Sequence, residues 1–277
     1  MVTDAAYDSP VVVADVVDGG ALEASCCADA AVDPTGDVAL DGQTMPDAST
    51  TWCQLGTHQF CADFDSDPYT AGWTDQIAAG TGKISMNTTG SRSMPGAFLS
   101  EISAPDVVDP QARLRKLFAP RPTKISLEFD LFLDDPRLQG GPPGQPVEIF
   151  SIMQEGEQYS TGLKLLRGGS TQETYLLYQR VDGGSLFSMK GSGLATGRWV
   201  HVALTFDPPG TSNQGQTGSV ELEVDGMTLA NYPRVIDLDY HAATATATVL
   251  SVGLGSIATQ DLAMSAKYDN VTVDVIP

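Results

Sequence analysis

The amino-acid sequence predicts an all-β fold, a two-sheet antiparallel β-sandwich, that follows an acidic N-terminal segment. From Trp52 onward, short runs of alternating apolar and polar residues recur, and clusters of Gly, Pro, Asp and Asn separate them. No helical period of apolar residues persists for the roughly ten residues that a helix requires. The chain has 277 residues, which is enough for one large β domain.

Residues 1–50 are predicted to be a disordered tail or linker ahead of a folded domain at 51–277. This segment is rich in Asp, Ala, Val and Gly and nearly lacks aromatic residues, so it cannot bury enough apolar surface to offset its conformational entropy. Residues 1–82 hold 14 acidic side chains and no basic one, and the formal net charge of the chain is −20. Such a protein repels phosphate groups, so we expect neither nucleic acid nor an anionic membrane as a partner.

No apolar run approaches the roughly 20 residues of a membrane-spanning helix, so no membrane insertion is expected. The N-terminus also lacks the basic and apolar regions of a signal peptide. Retention inside the cell, a sequence that begins after its signal, and export by another route all stay open at this point.

Four cysteines lie in the first quarter of the chain: Cys26, Cys27, Cys53 and Cys61. An even count fits an oxidising compartment, although spacing alone does not determine the pairing. Zinc binding would require CxxC pairs or a second Cys/His cluster, and the sequence has neither. A disulfide between Cys53 and Cys61 is favoured over free thiols, while Cys26 and Cys27 have no assigned role.

The clearest predicted strand covers residues 125–133. Its apolar side chains recur at every second position, which places them together on the core face of a sheet. Glu128 and Asp130 then lie on the opposite face, which is directed outward or lines a groove. The core-facing residues of this strand are Ile125, Leu127, Phe129, Leu131 and Leu133.

A second alternating strand covers residues 198–206, with Val200, Val202, Leu204 and Phe206 directed inward. The dipeptide Asp225-Gly226, which is favoured in two-residue hairpin turns, joins strand 219–224 to strand 227–229. The Ala/Thr alternation over 242–248 has little side-chain bulk and predicts an edge strand. The other predicted strands cover 112–118, 147–153, 161–166, 174–181, 185–189, 246–254 and 267–275.

Three motifs resemble those of concanavalin A-like and laminin G-like jelly-roll domains. The segments RWVHVALTFD at 198–207 and VELEVDG at 220–226 resemble the W-x-H-V-A and V-x-L-x-V-D-G hairpin of that family. The segment KYDNVTV at 267–273 is similar to the closing strand of bacterial members, and FCADFD at 60–65, with Trp73 downstream, resembles the opening of secreted or lipoprotein forms. The likeness covers about residues 53–277 and implies a jelly roll in an extracellular or cell-envelope protein.

This fold is shared by lectins, glycosidases, lyases and adhesion modules, so the resemblance does not set the function. Laminarinase-like glycosidases carry E-x-D-x-x-E on one strand, and here Glu128 and Asp130 are followed by Leu133 where the second glutamate would stand. Alginate-lyase-type members need His, Tyr, Arg and Gln on the concave face. Of the three histidines, His201 is interpreted as a packed or cross-strand side chain, and no catalytic residue is predicted.

A sugar-binding surface is predicted instead on the outward face of the central strands. Glu128 and Asp130 would lie beside Arg113 and Arg115 if strand 112–118 pairs with strand 125–133, and Tyr175 or Tyr178 would lie nearby. Charged planar groups hydrogen-bond sugar hydroxyls and aromatic rings stack on sugars. The alternative is a solvated sheet face with cross-strand ion pairs, each contributing about 0.2–1 kcal/mol.

The resemblance also implies one structural Ca²⁺ ion. Similar jelly rolls hold it with an aspartate of the last strand and backbone carbonyls of the opening segment. Asp269 occupies the first position and Asp65 is near the second; in the alternative interpretation Asp269 hydrogen-bonds neighbouring backbone. Oxygen ligands without Cys or His fit Ca²⁺ better than zinc.

The function that the sequence favours is a non-catalytic module that binds a glycan or an extracellular matrix polymer. The alternatives are a carbohydrate-active enzyme with an unrecognised active site, either a glycoside hydrolase or a polysaccharide lyase, and a purely structural envelope protein.

Overall fold

The computed structural model describes residues 52–54, 56–103, 110–120, 122–134, 146–155, 160–166, 174–181, 184–192, 194–207, 218–235, 246–256 and 263–277. All of them belong to one compact unit, Met45–Pro277. The predicted tail at 1–50, with Cys26 and Cys27, lies outside the described residues. No helix in the described ranges is long and apolar enough to cross a membrane.

Two antiparallel sheets form the sandwich, which confirms the predicted fold class. Apart from one short 3₁₀ turn at Trp52–Gln54, the regular elements of the described residues are strands. The strands are β1 Phe60–Ala62, β2 Asp75–Ala79, β3 Lys83–Asn87, β4 Ala97–Ile102, β5 Gln111–Phe118, β6 Lys124–Leu133, β7 Pro146–Glu155, β8 Ser160–Leu166, β9 Thr174–Val181, β10 Gly184–Ser192, β11 Trp199–Asp207, β12 Gly218–Val224, β13 Met227–Val235, β14 Ala247–Ser256 and β15 Met264–Ile276.

The sheet called A here has the strand order β13-β12-β11-β6-β15-β4-β3, with β1 also paired to β15. Sheet B has the order β10-β9-β8-β7-β14-β5-β2.

The edge strand predicted over 242–248 is wrong where it overlaps β14, because Ala247 and Thr248 lie in a strand flanked by β7 and β5. Small side chains fit this central position because Thr248 is buried and hydrogen-bonded to Gln154.

Period-two alternation builds the core as the sequence predicts. The five predicted core residues of β6 and the four of β11 are at most 2% exposed, and they pack between the sheets. The polar residues between them lie on the outer face of sheet A.

Because β5 lies in sheet B and β6 in sheet A, the two strands are not paired, and the predicted pairing of 112–118 with 125–133 is wrong.

Two buried hydroxyl groups connect the sheets. The Tyr268 hydroxyl on β15 donates to the Ile149 carbonyl on β7 at 3.0 Å. The Ser100 hydroxyl on β4 donates to the Ala112 carbonyl at 2.6 Å and accepts from the Leu254 amide at 2.9 Å. Since each buried polar group costs free energy unless it is paired, these bonds favour one alignment of the sheets over others.

The opening segment is closed by a disulfide and is attached to the last strand by a short strand and side-chain hydrogen bonds. Cys53 and Cys61 form the predicted disulfide, and β1 pairs with β15. Asp274 on β15 accepts from the Gln59 amide at 3.0 Å, and its other oxygen lies 2.9 Å from Nδ1 of His58. The segment before β1 is thus held at both of its ends.

Peptide mapping of the unreduced protein by mass spectrometry is expected to recover Cys53 linked to Cys61. Replacing both with serine removes a short covalent loop and is expected to lower the free energy of unfolding by about 2–3 kcal/mol. Labelling of both cysteines by a thiol reagent in the native, unreduced protein would contradict the assignment.

Candidate functional site

The outer face of sheet B carries both predicted arginines. Arg113 and Arg115 alternate along β5 with Ala112 and Leu114, which are fully buried in the core. Their side chains therefore lie on the opposite face, directed away from sheet A. Neither arginine is near Glu128 or Asp130, which lie on the outer face of sheet A, so the predicted four-residue surface is divided between opposite sides of the sandwich.

A row of directly opposed Cα positions, called the cross-strand row below, runs across all seven strands of sheet B. Residues directly opposite one another in antiparallel strands share a face of the sheet. The row has charged residues at its β2–β5 end and small residues in the middle. Its members are Asp75, Arg115, Ser251, Ser151, Gly162, Tyr178 and Ser188. The predicted Tyr178 is placed in the row by its backbone, and its side chain lies outside what the structure describes.

Arg113 lies across β14 and reaches β7. Its Nη1 is 2.6 Å from Oε1 of Glu148, and its Nε donates to the Leu254 carbonyl at 3.4 Å. A Cβ atom at Gly255 would come within 1.5 Å of the guanidinium, so only glycine allows the side chain this path. The two charged side chains are 16% and 13% exposed, which makes them a largely desolvated pair.

Arg115 makes a looser ion pair and is more available to a ligand. Its Nη1 is 3.4 Å from Oδ2 of Asp75, and the aspartate is 46% exposed. Next to Arg115 in the cross-strand row, Ser251 and Ser151 lie low on the face, with 8% and 7% of each residue exposed. The face thus offers guanidinium donors beside a floor of small residues.

On sheet A, Asp130 and His201 are Cα partners on adjacent strands, which confirms the cross-strand interpretation of this histidine. Asp130 is 6% exposed; its Oδ1 lies 3.2 Å from Nδ1 of His201 and its Oδ2 accepts from Asn270 Nδ2 at 2.8 Å. Hydrogen bonding to Asp130 raises the pKa of His201 despite partial burial. The role of Asn270 was not foreseen, because it depends on a β-bulge in β15 that no local pattern marks.

The enzyme motifs considered in the sequence are not assembled in the described residues. Leu133 is fully buried in the core, so position 133 does not face outward beside Glu128. Gln154 is buried against Thr248 between the sheets, and His201 lies on sheet A whereas the arginines lie on sheet B. Among the described side chains, the His, Tyr, Arg and Gln set of the alginate-lyase type is therefore not found together.

The two predicted calcium ligands are Asp269 on β15 and Asp65 in the segment after β1. Asp269 is fully buried and accepts from the Ser93 amide at 2.8 Å, the Ser93 hydroxyl at 2.9 Å and the Asn270 amide at 2.9 Å. Asp65 accepts from the Gly96 amide at 3.2 Å, and its charge acts on Asp269. Asp269 thus hydrogen-bonds neighbouring backbone, as the alternative interpretation expects. Two carboxylates without Cys or His are also the type of ligand that Ca²⁺ prefers.

Asp269 has an unusual titration. Burial raises its pKa to about 7, against the opposing effect of the bonds from Ser93 and Asn270, and the charge of Asp65 raises it further. In the described residues, no group of three or more His, Cys, Asp or Glu side chains is placed to hold a metal ion. Calcium binding by Asp65 and Asp269 would need backbone carbonyls or water as further ligands and stays a prediction.

Solved structures with this fold include polysaccharide lyases. The endo-β-1,4-glucuronan lyase of the fungus Trichoderma reesei superposes with a TM-score of 0.53 at 17% identity, covering 79% of this chain and 95% of the lyase. The cellulose-induced protein Cip1 gives a TM-score of 0.53 at 15% identity, with 78% and 96% covered. The PL-14 alginate lyase of Aplysia kurodai gives 0.51 at 10% identity, with 79% and 100% covered.

No family model matches the sequence, and no curated protein matches it. At these identities the structural likeness shows a shared fold, and function has to be argued from the residues of this chain.

Added Ca²⁺ is expected to raise the melting temperature by several degrees above pH 7, where Asp269 is ionised, because a ligand that binds only the folded state stabilises it. Asp269→Asn is expected to abolish the rise, whereas Asp274→Asn, a change further along β15, should retain it. Differential scanning calorimetry measures the melting temperatures of the wild type and both variants. An unchanged melting temperature of the wild type in Ca²⁺ would contradict the calcium site.

In buffer with a chelator, the free energy of unfolding is expected to fall as pH rises from about 4 to about 7. Across this window the folded state keeps a proton on Asp269 that the unfolded chain has released, so stability present at low pH is lost. One proton accounts for at most about 1.4 kcal/mol per pH unit. Urea denaturation at several pH values measures this dependence. In the Asp269→Asn variant the free energy of unfolding should fall less between about pH 4 and about pH 7 than in the wild type, and an equal fall would contradict the raised pKa.

Proposed function

We propose that this protein binds a polysaccharide chain on the outer face of sheet B. The observation that carries the proposal is the cross-strand row, in which Arg115 stands at one end of a floor made of Ser251, Ser151 and Gly162. Guanidinium groups donate several hydrogen bonds in one plane, which suits sugar hydroxyl and carboxylate groups. Small residues leave space above the sheet for a chain that crosses the strands.

Glycine geometry supports the same location. Gly253 has a φ of 124°, and a Cβ there would lie 2.2 Å from the Ala112 carbonyl, so β14 and β5 approach closely at this point. Gly255 leaves the space that the Arg113 guanidinium occupies. Arg113 is held against Glu148 above these glycines, so its charge has a fixed position on this face. A long, shallow surface bounded by charged side chains is suited to a polymer more than to a compact small molecule.

An extracellular or cell-envelope location accompanies this proposal. The Cys53–Cys61 disulfide supports it, since disulfides persist in oxidising compartments. The partner would then be a glycan or matrix polymer of the cell surface or surroundings. If no polymer binds, the alternative of a structural envelope protein is favoured.

A second candidate is a polysaccharide lyase that acts on the same face. The fold shared with a glucuronan lyase and an alginate lyase favours it, as does the position of Tyr178 in the same row as Arg115. Release of unsaturated sugar products, followed by ultraviolet absorbance, distinguishes cleavage from binding. If products form and Arg115→Ala abolishes their release, the protein is a lyase that acts on this face and not a non-catalytic binding module.

Affinity electrophoresis and calorimetry against glucuronan, alginate and cellulose are expected to show binding to at least one polymer. Arg115→Ala is expected to weaken that binding about tenfold or more, since a hydrogen bond to a charged group contributes about 1.5–3 kcal/mol. Arg92→Ala, which removes an exposed arginine before β4 of sheet A, is the matched control and should leave binding unchanged. Equal loss in both variants, or no binding to any polymer, would contradict the proposal.

A further inference from the structure

The outer face of sheet A holds a cluster of one histidine and two carboxylates, separate from the face just described. His201 lies on β11, and Asp130 and Glu128 lie on the adjacent β6. We call these three residues the His201 cluster. Both strands are interior strands of sheet A, so the Cα positions of the cluster are held by hydrogen bonds on each side.

The inner carboxylate determines which nitrogen of His201 is free. Asp130 Oδ1 lies 3.2 Å from Nδ1 and accepts the ring proton's hydrogen bond, so the neutral imidazole carries its proton on Nδ1 and its lone pair on Nε2. The Asp130 side chain is 8% exposed, and its second oxygen accepts from Asn270. A carboxylate that holds the far nitrogen of an imidazole is the usual support of a metal-ligating histidine.

The outer carboxylate lies beside the free nitrogen. Oε2 of Glu128 is 3.7 Å from Nε2 of His201, which is too long for a hydrogen bond. Two ligand atoms that each lie about 2.0–2.1 Å from one tetrahedral ion are separated by about 3.3–3.5 Å, so a small side-chain movement brings this pair to ligating distance. The side chains are 40% and 50% exposed, which lets an ion enter and lets water complete its coordination.

The charges around His201 favour a cation. Asp130, Glu128 and Asp225 all act on the ring, and Asp225 also accepts from the His201 amide at 2.9 Å. The charge of Arg198 is paired with Asp225 at 2.8 Å. Asn270, which supports Asp130, sits in a β-bulge with a φ of 51°, an uncommon conformation that is often retained where it positions a functional group.

We propose that the His201 cluster binds a first-row transition-metal ion such as Zn²⁺ through Nε2 of His201 and Oε2 of Glu128, with Asp130 as the positioning residue. Imidazole nitrogen with carboxylate oxygen suits Zn²⁺, Ni²⁺ and Cu²⁺, whereas Ca²⁺ takes oxygen ligands alone. Water fills the remaining coordination positions, which face solvent.

The test is calorimetric titration with Zn²⁺ of the full chain carrying Cys26→Ser and Cys27→Ser, which removes thiols as competing ligands. Excess Ca²⁺ is present throughout, so that carboxylate sites for that ion are filled. We expect one Zn²⁺ per chain. His201→Ala and Glu128→Gln are each expected to abolish this isotherm, and Asp130→Asn to weaken it about 10- to 100-fold.

His58→Ala is the matched control, because His58 contacts a single carboxylate, Asp274, among the described residues. It is expected to bind Zn²⁺ like the parent. Co²⁺ absorption provides a readout independent of heat, and circular dichroism of each variant checks that the sandwich is intact. Binding that is absent in the parent, or that survives in a folded His201→Ala variant, would overturn the proposal.

Discussion

The burial of alternate apolar side chains between two sheets is the constraint on which the rest of this structure depends. In β6 and β11 every second residue enters the core, so every residue between them is directed to the outer face of sheet A. Polar side chains capable of chemistry are therefore confined largely to the two outer faces and to the strand ends. A shift of one residue in either strand would exchange the core set for the polar set.

Within the core, a few polar groups specify how the sheets align. Ser100 and Tyr268 each join one sheet to the other, and each is completely buried. Apolar packing alone tolerates many small displacements of two sheets, whereas a hydrogen bond in a dry interior is lost when its partners move apart. The alignment in turn determines which strand ends meet, including the contact of the opening segment with β15.

The two outer faces have different chemistry as a result. Sheet B presents Arg113 and Arg115 over a floor of glycine and serine, and sheet A presents carboxylates around His201. The sandwich separates them, so a ligand on one face is not in contact with the other. This separation is why binding of a polymer on sheet B and binding of a metal ion on sheet A are independent proposals.

The sequence alone determined the fold class and the core-facing residues of β6 and β11, because both depend on period-two alternation. It favoured a Cys53–Cys61 disulfide, which the structure then confirmed. Apart from the hairpin at Asp225-Gly226, only the tertiary structure decided which strands are neighbours. It put β5 and β6 in different sheets, placed Ala247 and Thr248 of the expected edge segment in a central strand, and brought Asn270 to Asp130 across 140 positions of sequence. The physical reason is that alternation specifies the face of a residue but not its neighbouring strand, which is chosen by the packing of the whole sandwich.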